Sequence, residues 1–198
     1  MCNLYRLAHS SDEVARIFRA APLAGNVPGE IYPGWPGLVI EGGRLRSMIW
    51  GFPLHLTGKD GQRLKPKHVN NTRADKLHGP FWRSSFLERR CLVPMNAFAE
   101  PEGQSGHKTR TWVSVRDKPV FACAGLWRHS DEWGAVFSMV MTGPSPAMAH
   151  VHERMPVILH PDDYECWQVG TPDEALALCQ PWIGELAIDR TAEPWVHR

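Results

Sequence analysis

TWVSV at 111–115, VFACAGLW at 120–127 and AVFSMVMT at 135–142 decide how this chain is read. Each run is short, rich in β-branched, aromatic and small apolar residues, and separated from the next by a few turn-forming residues. Such residues suit a pleated, half-buried surface, and three runs in succession read as consecutive strands. Working outward, GLVI at 37–40 and the residues at 44–50 flank Gly42-Gly43, the pattern of a hairpin closed by a glycine turn. RCLVP at 90–94 is strand-like and leads into NAFAE at 96–100. NLYRLAH at 3–9 is a short apolar stretch that would hold the terminus inside the fold. Ser10 to Glu13 form a helix N-cap pattern ahead of Val14, Ile17 and Phe18, which share a helical face. Helical periodicity also runs over 74–90 through Leu77, Phe81, Trp82, Phe86 and Leu87, interrupted at Gly79-Pro80. Residues 151–159 read as a strand, and Pro161 and Pro172 each open a short helix. The expectation is one α+β domain over 1–198, a mostly antiparallel sheet or barrel-like core with peripheral helices.

Composition narrows the function. The chain has 198 residues, 43% hydrophobic and 22% charged, which is globular and not disordered. A net charge of +1 argues against a broad duplex-binding face but allows a narrow groove for a single strand. Five widely spaced cysteines without a CxxC pair argue against a disulfide framework or a zinc ribbon. His150 and His152 alternate as strand ligands would, yet no third ligand accompanies them, so neither a metal nor another cofactor is expected. No apolar run approaches the ~18 residues of a membrane span, and no leader is evident, so a cytoplasmic protein is expected.

Several residues could carry chemistry. Cys2 becomes the first residue if Met1 is removed, and it then offers an α-amine and a thiol on adjacent carbons. The amine can condense with an aldehyde and the thiol can close on the same carbon, giving a five-membered thiazolidine. An α-amine titrates at about 7.7–8.0, so a sizeable share is nucleophilic near neutrality. Asn71 and Arg73 stand between a basic loop (Lys59, Arg63, Lys65, Lys67) and the helical segment. Glu100 ends an apolar run, and His152 and Arg154 follow a Gly/Pro-rich loop. Each also has a plainer reading: Asn71 as a helix cap, Glu100 as a solvated carboxylate, His152 as a hydrogen-bonded strand residue, Arg154 as a surface ion-pair member.

MCNLY at 1–5, IWGF at 49–52, NNTRAD at 70–75, RCLVPMNAFAE at 90–100 and HERMPVIL at 152–159, in this order, resemble the SRAP family of abasic-site processing proteins. The resemblance implies that Cys2 forms a thiazolidine with the ring-opened sugar of an abasic site in single-stranded DNA. It implies Asn71, Glu100 and His152 as the other catalytic residues. It implies DNA contacts from Arg73 and Thr142, and the two-oxygen grip of a guanidinium fork suits Arg73 and Arg154 to clamp phosphates. Where the family often begins MCGRF, this chain has Asn3 and Leu4, and Arg6 is the candidate to replace the missing arginine. Leu56 falls near a tryptophan common in the family, leaving Trp35, Trp50 and Pro33 as candidates to grip flanking bases. A monomer is expected. The competing readings are an N-terminal-nucleophile cysteine hydrolase acting on peptides and a non-covalent single-strand binder using the 59–67 loop.

Overall fold

The computed structural model describes residues 2–23, 25 and 27–195. Its strands are β1 (Tyr5–Arg6), β2 (Glu30–Ile31), β3 (Pro36–Glu41), β4 (Arg44–Trp50), β5 (Phe52–Leu54), β6 (Lys67–Val69), β7 (Asn71–Arg73) and β8 (Arg90–Met95). They continue as β9 (Ala97–Glu102), β10 (Thr109–Val115), β11 (Phe121–Ser130), β12 (Gly134–Thr142), β13 (Met155–Pro156), β14 (Ile158–Leu159) and β15 (Leu186–Pro194). The helices are α1 (Ser11–Ile17), α2 (Arg83–Glu88), α3 (Tyr164–Val169) and α4 (Pro172–Ala177), with 3₁₀ turns at Ala74–Lys76 and Pro161–Asp163.

The expected hairpin forms β3 and β4, and Gly42 and Gly43 both take positive φ, +55° and +71°, as a two-residue hairpin turn requires. β3 also pairs with β8, β8 with β11, and β11 with β12, all antiparallel. β12 then pairs in parallel with β4 (Val136 with Ile49, Phe137 with Trp50), closing a barrel of five strands. Further along, β12 pairs in parallel with β7, matching Met139 with Asn71 and Met141 with Arg73. The chain therefore leaves the barrel wall after Trp50 and returns beside the same strand at Asn71. Among the described strands these two parallel pairings are the exception in a mostly antiparallel α+β fold. A second sheet, in the order β15-β10-β9-β1-β2, carries the N-terminal segment.

Every residue of β8 is buried because its two faces are both covered. Arg90, at its start, donates to the carbonyls of Phe86 (2.7 Å), Trp167 (2.5 Å) and Gly170, tying the ends of α2 and α3 to the barrel. β1 is pinned to the barrel by Tyr5, whose ring meets Trp50 edge-on at 5.1 Å. A Cβ on Gly37 would stand 2.1 Å from the Tyr5 hydroxyl oxygen, so only glycine leaves room for it.

Three local expectations are corrected. The 74–90 periodicity yields only a 3₁₀ turn and the six-residue α2, since Pro80 breaks the ladder. His152 and Arg154 lie in a turn, not in a strand; pairing begins at Met155. β15, half polar at an edge, has no counterpart in the expected strands. Among the described residues, no helix is long and apolar enough to cross a membrane, and no group of three or more His, Cys, Asp or Glu could hold a metal.

Candidate active site

The closure of the two sheets on each other gathers Cys2, Asn71, Glu100 and His152. β9 pairs with β1 through Phe98 and Tyr5, and the Ala99 N–H donates to the Leu4 carbonyl at 2.9 Å. The next residue, Glu100, is thereby turned inward beside Cys2, and both are fully buried. The Cys2 thiol donates to the Leu4 carbonyl at 3.5 Å. Its own carbonyl accepts from the Asn71 side-chain amide at 2.6 Å. Asn71 is thus a buried strand residue, not a helix cap, and its Oδ1 has no hydrogen-bond partner among the described residues. His152 Nε2 stands 3.8 Å from Glu100 Oε2. His152 Nδ1 meets the backbone of Arg154, 3.1 Å from both its N–H and its carbonyl oxygen, which leaves Nε2 as the ring nitrogen on the Glu100 side. Met1 lies outside the described residues, and so does the question of its removal.

Burial sets the acid–base character of the site. It pushes the Glu100 carboxyl up to about 7, so both protonation states are populated near neutrality. Burial also lowers the His152 imidazole below its usual range. The Cys2 thiol is driven well above the ordinary thiol range, first by burial and then by the Glu100 carboxylate. The pocket therefore holds a neutral thiol, a carboxyl poised to take or give a proton, and a largely neutral imidazole. That set can shuttle protons for addition to a carbonyl.

Next to the pocket, Arg73, Thr142 and Arg154 line one cleft of about 230 Å³, together with Asp75 and Glu153. Arg73 is gripped by Asp75 through both arms of its fork, Nε to Oδ1 at 2.7 Å and Nη2 to Oδ2. Arg154 lies 3.8 Å from Glu153. The Thr142 hydroxyl donates to the Cys179 carbonyl at 3.1 Å.

The other expected contacts separate. Trp50 is wholly buried, its indole N–H donates to the Asn70 carbonyl at 2.9 Å, and its ring stacks on Phe137. It has no face to offer a base; this corrects the expectation of a gripping role. Arg6 is exposed but lies over the Trp112 ring at 4.5 Å, on the outer side of the second sheet. Pro33 and Gly34 (φ +87°) form a tight turn in which the Trp35 N–H donates to the Tyr32 carbonyl at 2.9 Å. Trp35, 48% exposed, stands on this turn with its ring edge-on to Tyr32. Beneath it the buried Arg110 donates to Glu30 and to the Tyr32 hydroxyl. Sequence reasoning gave no role to Asn3, Asn70, Asp75 or Arg110. For Asn70 and Asp75 the only signal was their place in the NNTRAD block.

Comparison with known proteins identifies a family and a shared fold. The family model "SOS response associated peptidase (SRAP)" matches residues 1–192. The Bacillus subtilis "abasic site processing protein YoqW" is 27% identical over 202 residues, covering 92% of this chain and 88% of that protein. The B. subtilis "abasic site processing protein YoaM" is 26% identical over 150 residues, covering 70% and 64%. A crystal structure of a Bordetella bronchiseptica protein superposes with a TM-score of 0.80 at 22% identity, covering 96% of this chain and 99% of that one, and shows a shared fold.

Proposed function

The chain belongs to the SOS response associated peptidase (SRAP) family, which processes abasic sites, and we propose that it crosslinks to such sites in single-stranded DNA through Cys2. Met1 is first removed. The Cys2 α-amine then adds to the aldehyde carbon of the ring-opened deoxyribose, and the resulting carbinolamine loses one water to give an imine. The thiol adds across the C=N bond: a C–S bond forms and the thiol proton moves to nitrogen. The product is a thiazolidine, with one water lost overall and no change of oxidation state.

The observation that carries this reading is Glu100, buried beside Cys2 with its carboxyl pushed up to about 7. In this role it takes the amine proton before attack and returns one when the hydroxyl leaves as water. His152, with Nε2 on the Glu100 side, protonates the sugar oxygen as the ring opens. Asn71 holds the Cys2 carbonyl, and its unpartnered Oδ1 accepts from a sugar hydroxyl or from the amine. Arg73 and Arg154 bind the flanking phosphates, with Thr142 between them. Trp35 takes the base-stacking role, and Pro33 shapes its turn. Holding amine, thiol and aldehyde together makes ring closure intramolecular, an advantage of about 7–11 kcal/mol when orientation is good.

The test is a single-stranded oligonucleotide with one abasic site, incubated with protein and run on a denaturing gel. A shifted band that Cys2→Ser abolishes is the expected result. A wild-type protein that gives no shifted band, or a band that survives Cys2→Ser, overturns the proposal.

A further inference from the structure

Cys2 is held by two side chains, and the proposed chemistry uses only one of them. Asn70 Nδ2 donates to the Cys2 carbonyl at 2.9 Å and to the Asn3 side-chain oxygen at 3.0 Å. Asn70 is itself immobilised, because its backbone carbonyl accepts the Met139 N–H and the Trp50 indole N–H, both at 2.9 Å. The buried Trp50 is thereby part of the support under the nucleophile. Asn3 stands where this chain departs from the MCGRF opening of its family, and its partner across the site is Asn70.

We propose that Asn70 is a positioning residue for the Cys2 nucleophile, acting through the Cys2 carbonyl and the Asn3 side chain. A single donor on a carbonyl leaves the peptide plane free to swing about that bond. Two donors from different side chains fix the plane, and with it the position of the Cys2 Cα and the Cα–C axis about which its nitrogen and Cβ turn. Ring closure needs nitrogen and sulfur to reach one carbon, so a wandering plane slows closure without changing how DNA binds. Asn70 touches none of the reacting atoms, and its substitution should move the rate constant, not the affinity. The inference rests on the crosslinking reading above.

The experiment measures crosslinking at saturating abasic oligonucleotide for wild type, Asn70→Asp, Asn70→Ala and Asn3→Ala. Asn70→Asp keeps the shape but turns an acceptor toward the Cys2 carbonyl, so it remains informative if the alanine variant folds poorly. Both Asn70 variants should lower the rate constant about tenfold. Asn3→Ala, which removes one bond, should lower it about threefold. Final crosslinked yield and affinity for undamaged single strands should be unchanged. An unchanged rate constant in Asn70→Asp overturns the inference. So does a loss of yield or affinity at a preserved rate constant, which is what a merely structural role would give. A parallel readout uses 2-deoxyribose 5-phosphate as the aldehyde and follows the adduct by intact mass. If wild type forms the sugar adduct but not the DNA crosslink, the DNA reading fails while the Asn70 effect is still measured on the adduct. If wild type forms neither, both fail.

Discussion

Glu100→Gln should make the protein more stable and nearly inactive, and both effects come from one buried carboxyl. Burial raises the Glu100 carboxyl from an ordinary value near 4.5 to about 7. Between these values the folded chain keeps a proton that the unfolded chain has released, so stability falls as pH rises across this window. Above pH 7 the fold carries an ionised carboxylate at a cost of about 3 kcal/mol, taking 1.36 kcal/mol for each tenfold change in proton affinity. Glutamine has nearly the same shape and no charge, so it removes that cost. At pH 8 the variant should gain about 3 kcal/mol, or roughly 6–12 °C in melting temperature for a chain of this size. At pH 4.5 the two proteins should melt together. Crosslinking by Glu100→Gln should fall by about 10²–10⁴, as loss of a general base does, and wild-type crosslinking should rise as pH passes upward through 7. Urea unfolding at pH 4.5, 6 and 8 reads the stability arm. A variant that is less stable than wild type at pH 8, or a difference that does not change with pH, refutes the argument that burial has raised this carboxyl.

The two tryptophans should separate stability from binding. Trp50→Ala should cost about 3–5 kcal/mol in urea unfolding. Trp35→Ala should leave unfolding nearly unchanged but weaken single-strand binding by about 1–3 kcal/mol in a fluorescence titration. Asp75→Asn removes the carboxylate that competes with a phosphate for the Arg73 fork; affinity for undamaged single strands should rise in a fluorescence titration at low salt. Gly37→Ala drives a methyl into the Tyr5 hydroxyl. It should destabilise the fold by about 1–3 kcal/mol in the same unfolding assay, as overpacking does.

What could be read ahead of the structure was what local pattern controls. The Gly42-Gly43 hairpin and the strands now numbered β10, β11 and β12 follow from turn chemistry and strand-forming residues. Asn71 looked able to cap a helix because the segment after it has helical periodicity; in the fold, pairing with β12 claims it as a strand residue. β15 was invisible because an edge strand with one wet face carries little apolar signal. Trp50 illustrates the same limit: an aromatic beside a glycine can face a ligand or the core, and only closure of the barrel decides. The candidate site was legible as a set of residue types and family blocks. Its assembly was not, because Glu100 reaches Cys2 only through the pairing of β9 with β1, and His152 reaches Glu100 only through a turn. Asn70 drew no separate attention because its partners, Cys2 and Asn3, are distant in sequence and close only in space.

The most direct measurement is intact and tandem mass spectrometry of the protein after reaction with an abasic single strand. The account predicts a species equal to the protein without Met1 plus the oligonucleotide less one water, with the added mass on the N-terminal cysteine. A covalent adduct on any other residue, or on a chain that still carries Met1, would contradict it.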